Sequence, residues 1–501
     1  MTSSVRILGA LLALHGLTWG LQAQAQQSGA ADVQVQLGDL FLANGRYVDA
    51  QAAYRRALGA SETELSLRAG SGLAVALLRT GDFREALEVS AGLSSRAPSD
   101  PSLASLRGDA LWSNGRFEEA EAAYDSALAA SPEQPRALHG RARSLAARNR
   151  LTEALGDARR TIELSPRNAE FHHTVASIHE RLGQFDDAAR ALGSYIELLP
   201  DKERSEKAGW ARAEIRFLQS FKGRVPFDID APPTTSSWTL PVRIRGDKVM
   251  VSGKVNGGGQ EFLLDTGAER TVISLDVARR RGVQPIASMQ TAGVGEVGLR
   301  GLEVGRIDTL EIGGLRVRNV PCLIKNPPLG GLPTREPESF SPLALGLSMR
   351  LDYQKQQLTI ARTIEPETYA NELPMRMHRL AMVRGTINGA LPATFVVDTG
   401  GELISISDAT AGQIQPPSTS RRIPLRVYGT SGWDKDAFLM PGVDLEFSSL
   451  RFDRIPVVVL NLRAPSALLG FQVGGIVGHR FLSKYRVTID MNRSVVGLAA
   501  N

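Results

Sequence analysis

Two copies of one short pattern constrain this chain more than any other feature of it. FLLDTGAERTVIS (262–274) and FVVDTGGELISIS (395–407) share seven of thirteen aligned positions, with their aspartates 133 residues apart. In each copy an apolar run ends in Asp-Thr-Gly, which reads as a buried strand delivering a carboxylate into a tight turn. One Asp at a turn commonly serves its own backbone hydrogen bonds. A repeated Asp, arriving with its strand, demands a shared explanation.

The repetition extends beyond the motif. SGKVNG (252–257) matches RGTING (384–389), and each Asn-Gly is a favoured hairpin turn between alternating strands. LEIGGLRVRNVP (310–321) matches LEFSSLRFDRIP (445–456) at five of twelve positions. An apolar pair plus Gly follows each aspartate: Ala344-Leu345-Gly346, 81 residues on, and Ile476-Val477-Gly478, 80 residues on. Residues 245–362 and 380–499 therefore form two copies of one β unit, able to bring one carboxylate each to a pseudo-twofold axis. From Gly346 to Asp352 is six residues and from Gly478 to Asp490 twelve, so the first copy is expected to have lost most of a supporting helix.

On Asp265-Thr266-Gly267-Ala268 and Asp398-Thr399-Gly400, each with its later apolar-apolar-Gly, the chain resembles the retropepsin-like bacterial aspartic proteases. The resemblance covers about half the chain. It implies one catalytic Asp per lobe, Thr266 and Thr399 bracing the two loops with Gly267 and Gly400, and Gly346 and Gly478 as further loop support. It also implies a β-hairpin flap closing over a peptide. Glycine-rich TAGVGEVGLRG (291–301) and VYGTSGW (427–433) supply the candidates Gly293, Gly295, Tyr428 and Gly429. Gly401 departs from the family pattern, which has Ala, Ser or Thr there.

Two carboxylates held about 3 Å apart cannot both ionise, so the pair keeps one proton. The ionised member can then deprotonate a water while the protonated member hydrogen-bonds the scissile carbonyl. This chemistry requires no metal and no cofactor. HExxH, GxSxG and Cys/His signatures are missing from the sequence. A catalytically silent protein that holds peptides without cutting them is the alternative. A two-carboxylate glycosidase has no place for the duplicated Asp-Thr-Gly frame.

From 33 to 200 a second frame recurs. Gly45, Gly81, Gly115, Asn149 and Gly183 mark turns 34 to 36 residues apart. An aromatic residue or Leu follows two later (Tyr47, Phe83, Phe117, Leu151, Phe185), then Ala three after that (Ala50, Ala86, Ala120, Ala154, Ala188). This resembles five tetratricopeptide repeats, whose small Ala lets paired helices approach. Their concave face is expected to take a protein partner. His172, His173 and His179 lack the spacing of a zinc helix and read as ordinary helix residues.

The start of the chain, with Arg6, an apolar run from Ile7 to Leu21 and Ala23-Gln24-Ala25, reads as a cleaved signal peptide. An exported protein, periplasmic or secreted and with no membrane span after cleavage, is expected. Net charge is +5 with both signs interspersed, which disfavours nucleic acid. The lone Cys322, in VPCLI, suits a packed strand.

The expected organisation is a signal peptide (1–25), a repeat domain with a capping helix (33–222), a Pro/Ser/Thr-rich linker (223–240), a first lobe (241–362), a connector (363–379) and a second lobe (380–501). The fold class is multidomain, an all-α solenoid followed by an all-β bilobal protease. Because both carboxylates lie in one chain, residues 240–501 alone are expected to form an active monomer, an intramolecular pseudo-dimer that cleaves a protein or peptide substrate.

Overall fold

The computed structural model describes residues 29–60, 62–294, 299–325, 338–414, 422–429 and 432–500. The expected signal peptide lies outside them. Among the described residues no helix is long and apolar enough to cross a membrane. The chain divides into two compact units, one running to Asn114 and adding Glu118–Ala137, the other made of Gly115–Phe117 and Leu138–Asn501.

Eleven helices run from residue 29 to Gln219, five antiparallel pairs and a final single helix, and form a solenoid. The second helices of the pairs start at Tyr47, Phe83, Phe117, Leu151 and Phe185. The turns before them pass through left-handed backbone at Gly45, Gly81, Gly115, Asn149 and Gly183, with φ from 57° to 85°. Glycine and asparagine tolerate that region, which explains their recurrence. All five repeat alanines are fully buried, as close helix pairing requires. In the first unit Tyr54 lies flat against Gly38 and Gly72, and Tyr124 against Gly108.

The β region repeats one ring of six strands. In lobe one the ring runs Lys248–Val255, Gly258–Leu264, Glu338–Phe340, Thr271–Ser274, Leu315–Lys325, Leu299–Ile312, and back to the first. In lobe two it runs Leu380–Ile387, Leu391–Val397, Gly475–Val477, Ser405–Ser407, Leu450–Leu460, Phe438–Phe447, and back. Closing each sheet on itself leaves no ring strand with an unpaired edge. Phe262, Phe340 and Phe395 are buried among aliphatic side chains inside. Cys322 is also buried there, which pushes its thiol up to about 12.

The strand register corrects one expectation. Phe340 lies opposite Leu264, as Val477 lies opposite Val397. The counterpart of Ile476-Val477-Gly478 is therefore Ser339-Phe340-Ser341, and Gly346 does not occupy the place of Gly478. Gly346 instead closes a 3-10 turn, Leu343–Leu345, in left-handed backbone at φ 71°. That turn stands where lobe two has the helix His479–Leu482. The helix is shortened to a turn rather than deleted, and the apparent six-residue step came from pairing the wrong glycine.

The lobes share an antiparallel run of strands ordered Ser237–Pro241, Gln357–Ala361, Ser348–Asp352, Tyr485–Asp490, Val495–Ala500, Asn371–His378. Arg350 lies opposite Thr488. Since Asp352 aligns with Asp490, these two are counterparts, and the pseudo-twofold axis passes between them. Residues 223–240 are thus more than a linker. Asp228–Ile229 pairs with Val317 and Arg318, and Ser237–Pro241 edges the shared sheet. Two prolines, Pro232 and Pro233, fall between these strands and disguise them. Most of the expected connector is likewise strand, Asn371–His378. The last helix, Glu206–Gln219, buries Phe217 and Leu218 in one cluster with Ala287, Val304 and the nearby Met289 of lobe one.

Candidate active site

Each aspartate is fixed at the end of its strand by its own backbone. The N–H of Asp265 donates to Phe340 O at 2.9 Å, and that of Asp398 to Val477 O at 3.0 Å. The side chains then turn back on their loops. Gly267 N–H donates to Asp265 Oδ1 at 3.1 Å, and Gly400 N–H to Asp398 Oδ1 at 2.8 Å.

The two threonines clasp the loops together across the axis. Thr266 N–H donates to Thr399 Oγ1 at 3.1 Å, and Thr399 N–H to Thr266 Oγ1 at 3.0 Å. Each hydroxyl passes its own hydrogen to the opposite strand, Thr266 Oγ1 to Val397 O at 2.6 Å and Thr399 Oγ1 to Leu264 O at 2.7 Å. Both threonines are buried, so all four bonds form away from water and no polar group is stranded.

The glycines are dictated by space. A Cβ at Gly267 would fall 2.6 Å from Asp398 Cγ, and one at Gly400 would fall 2.7 Å from Asp265 Oδ1. Each glycine therefore touches the carboxylate of the other lobe. Gly401 meets the same constraint, because a Cβ there would lie 2.9 Å from Asp398 Oδ2. The departure from the usual pattern fits a tighter second loop.

The carboxyls lie within hydrogen-bonding reach of one another, and Asp265 is pushed up to about 7. Burial is the largest cause, followed by the charge of Asp398. The Ser339 hydroxyl and the charge of Lys325 pull the other way. Ser339 breaks the symmetry, since its counterpart opposite Val396 is Ile476. The sequence offers no signal for Ser339, because the two third strands share no residue. Lys248 was also not foreseen: its Nζ donates across the lobes to Gly400 O at 2.8 Å.

The candidate flaps are hairpins. Val427–Gly429 pairs with Gly432–Asp434, and Tyr428 meets Trp433 edge to face. Pro285–Ala292 pairs with Leu299–Ile312, and Gly293 follows the first of these strands. Gly295 lies outside the described residues. The two hairpins meet, for a Cβ on Gly429 would fall 2.3 Å from Val294 O. Asp265, Thr266, Gly267, Asp398, Thr399, Gly400 and Gly478 thus gather at one place. The Cβ position of Gly478 faces the carbonyl of Gly401. Gly346 lies beyond the 3-10 turn instead.

Family models match in both regions. The aspartyl protease model matches residues 251–348 and again 383–480. Tetratricopeptide repeat models match 22–110, 105–169 and 139–203. Among curated proteins, the chain is 36% identical over 94 residues to the TPR repeat-containing thioredoxin TTL4 of Arabidopsis thaliana, covering 19% of this chain and 14% of that one. It is 36% identical over 111 residues to the Hsp70-Hsp90 organizing protein of Triticum aestivum, covering 22% and 19%. The chain thus spans less than a fifth of these relatives. Among solved structures, a thermophilic TPR protein of Thermus thermophilus matches 38% of this chain over its whole length, at 20% identity and a TM-score of 0.33.

Proposed function

Because this chain joins N-terminal tetratricopeptide repeats to two aspartyl-protease units in tandem, we infer that it is an aspartic-type endopeptidase whose repeats recruit a protein substrate or partner. The cross-lobe threonine clasp carries this reading, because it holds two carboxyls against each other in a buried site. Below about 7 the pair keeps one proton between them. The ionised carboxylate takes a proton from a water held between the two, and the protonated one donates to the scissile carbonyl oxygen. The water oxygen bonds to the carbonyl carbon to give a tetrahedral diol. As the C–N bond breaks, the amine nitrogen takes a proton from the pair, which returns to its starting state. The hairpins carrying Gly293 and Tyr428-Gly429 act as flaps that part to admit an extended peptide.

The test is to incubate the purified protein with a library of peptides and denatured proteins and read internal cleavage by mass spectrometry across pH. Cleavage is expected, with kcat/KM falling as pH rises through about 7, where the pair loses its shared proton. Peptides that bind without being cut would replace this reading with that of a silent peptide-holding protein.

Recruitment predicts a separate result. Deleting the first two helical pairs, residues 29–96, is expected to spare kcat/KM on short peptides and to raise KM on a protein that docks on the repeats. A docked substrate meets the cleft at an effective concentration of up to about millimolar. Equal effects on both substrate types would count against recruitment. Export to the periplasm or medium, led by residues 1–25, completes the proposal.

A further inference from the structure

In lobe two the active-site loop is held by a helix. His479 and Arg480, the first residues of His479–Leu482, donate their N–H groups to Gly401 O at 2.7 Å and Glu402 O at 3.0 Å. Lobe one has no equivalent. The position of His479 is taken by Pro342, which follows Ser341 as His479 follows Gly478 and has no N–H to give.

Other groups hold the first loop instead. Arg270, five residues after Asp265, donates to Glu214 Oε1 of the capping helix at 2.9 Å. Its guanidinium also lies 4.9 Å from the ring centre of Phe217, one turn along the same helix. The neighbouring Glu269 pairs with Arg379 at 2.6 Å. Lobe two carries Leu403 where lobe one carries Arg270, and that leucine is partly exposed. The brace is therefore specific to lobe one and coincides with the missing N–H.

Glu214 is 1% exposed. A carboxylate that deep is costly unless paired, and removing one partner leaves the other charge buried alone. The pair lines a cavity of 270 Å³ directly behind the loop, shared with Glu180, Arg379 and the 3-10 turn at Leu343–Leu345. Nothing in the chemistry of the helical repeats calls for a buried carboxylate at this point. The geometry of the Asp265 loop does.

We propose that the capping helix belongs functionally to the peptidase, with Glu214 a positioning residue that sets the Asp265 loop through Arg270. The role rests on the peptidase reading, but the placement of the loop is measurable without turnover. Peptide cleavage and backbone hydrogen exchange are compared for the full chain and for Glu214→Gln, which keeps the volume and removes the charge. Expected are a fall in kcat of about a hundredfold, with KM for a short peptide within about twofold, and faster exchange in 266–271 but not in 399–404. Arg270→Lys keeps the positive charge while losing the forked contact, and is expected to fall between. It also serves if Glu214→Gln does not fold.

A kcat within about threefold of wild type, with unchanged exchange in 266–271, overturns the proposal. So does equal loosening of both loops, which marks general destabilisation. If the wild type cleaves nothing, the peptidase reading fails, and selective loosening of 266–271 still decides whether Glu214 sets the loop.

Discussion

Asp265→Asn and Asp398→Asn are each expected to lower kcat by about a thousandfold or more, while the protein keeps its fold. Asparagine matches aspartate in shape and still accepts the loop N–H bonds from Gly267 and Gly400. The threonine clasp uses neither carboxyl. What is lost is the single proton shared between two like groups, and neither carboxyl can perform both roles. Stability should move in the opposite direction for Asp265. Folded Asp265 keeps its proton to about 7, whereas the unfolded chain releases it in the ordinary carboxylate range. The native state thus binds more protons in that window, so its stability falls as pH rises through it. Asp265→Asn removes that loss. Its Tm should exceed that of wild type above pH 7 and converge toward it near pH 4. Near-wild-type turnover in either variant would dismiss the shared-water mechanism.

The second large effect concerns where the protein can be cut. A fragment of residues 240–501 contains both aspartates, yet it is expected to be unstable and to aggregate. It lacks the strand at Asp228–Ile229 and most of the edge strand Ser237–Pro241. It also uncovers Ala287 and Val304, which pack with Phe217, Leu218 and Phe221. Burial of each large apolar side chain is worth about 1.5–3 kcal/mol, so three lost together rival the whole stability of a typical domain, about 5–15 kcal/mol. A fragment starting at Pro135 keeps these contacts and is expected to be a folded monomer, with activity per molecule unchanged on dilution. Size exclusion and thermal unfolding of the two fragments check this. Cooperative unfolding of 240–501 at the temperature of the longer fragment would refute it.

The sequence allowed the helical frame to be read almost residue by residue. Left-handed turns admit few residue types, and the close helix approach admits only a small one, so Gly45 through Gly183 and Ala50 through Ala188 write their geometry directly. The Asp-Thr-Gly loops were equally legible, because each glycine faces a carboxyl with no room for Cβ. The third strand of each ring was not. Ser339-Phe340-Ser341 and Ile476-Val477-Gly478 share a hydrogen-bonding register and no side chain, so the nearest apolar-apolar-Gly led to Gly346 instead. Backbone pairing leaves little trace where different side chains meet the same need. Glu214 and Arg270 escaped for another reason. They come from a helix and a loop of unrelated pattern, and only the folded chain brings them together.

The pairing of Arg350 with Thr488 has a consequence for partner choice. In an assembly of two identical chains, a residue on the twofold axis must face its own copy. Two free copies of lobe one, joined in this way, would set Arg350 against Arg350. Directly opposed like charges destabilise a strand pair. Here the arginine meets a threonine, donating from Nε to its Oγ1 at 3.1 Å, and finds Glu367 at 3.1 Å. One covalent chain has thus relieved the axis of its self-matching requirement. In doing so it has made the first lobe a poor mate for itself and a good one for the second, so that stray pairing between molecules is discouraged at the seam where they would join.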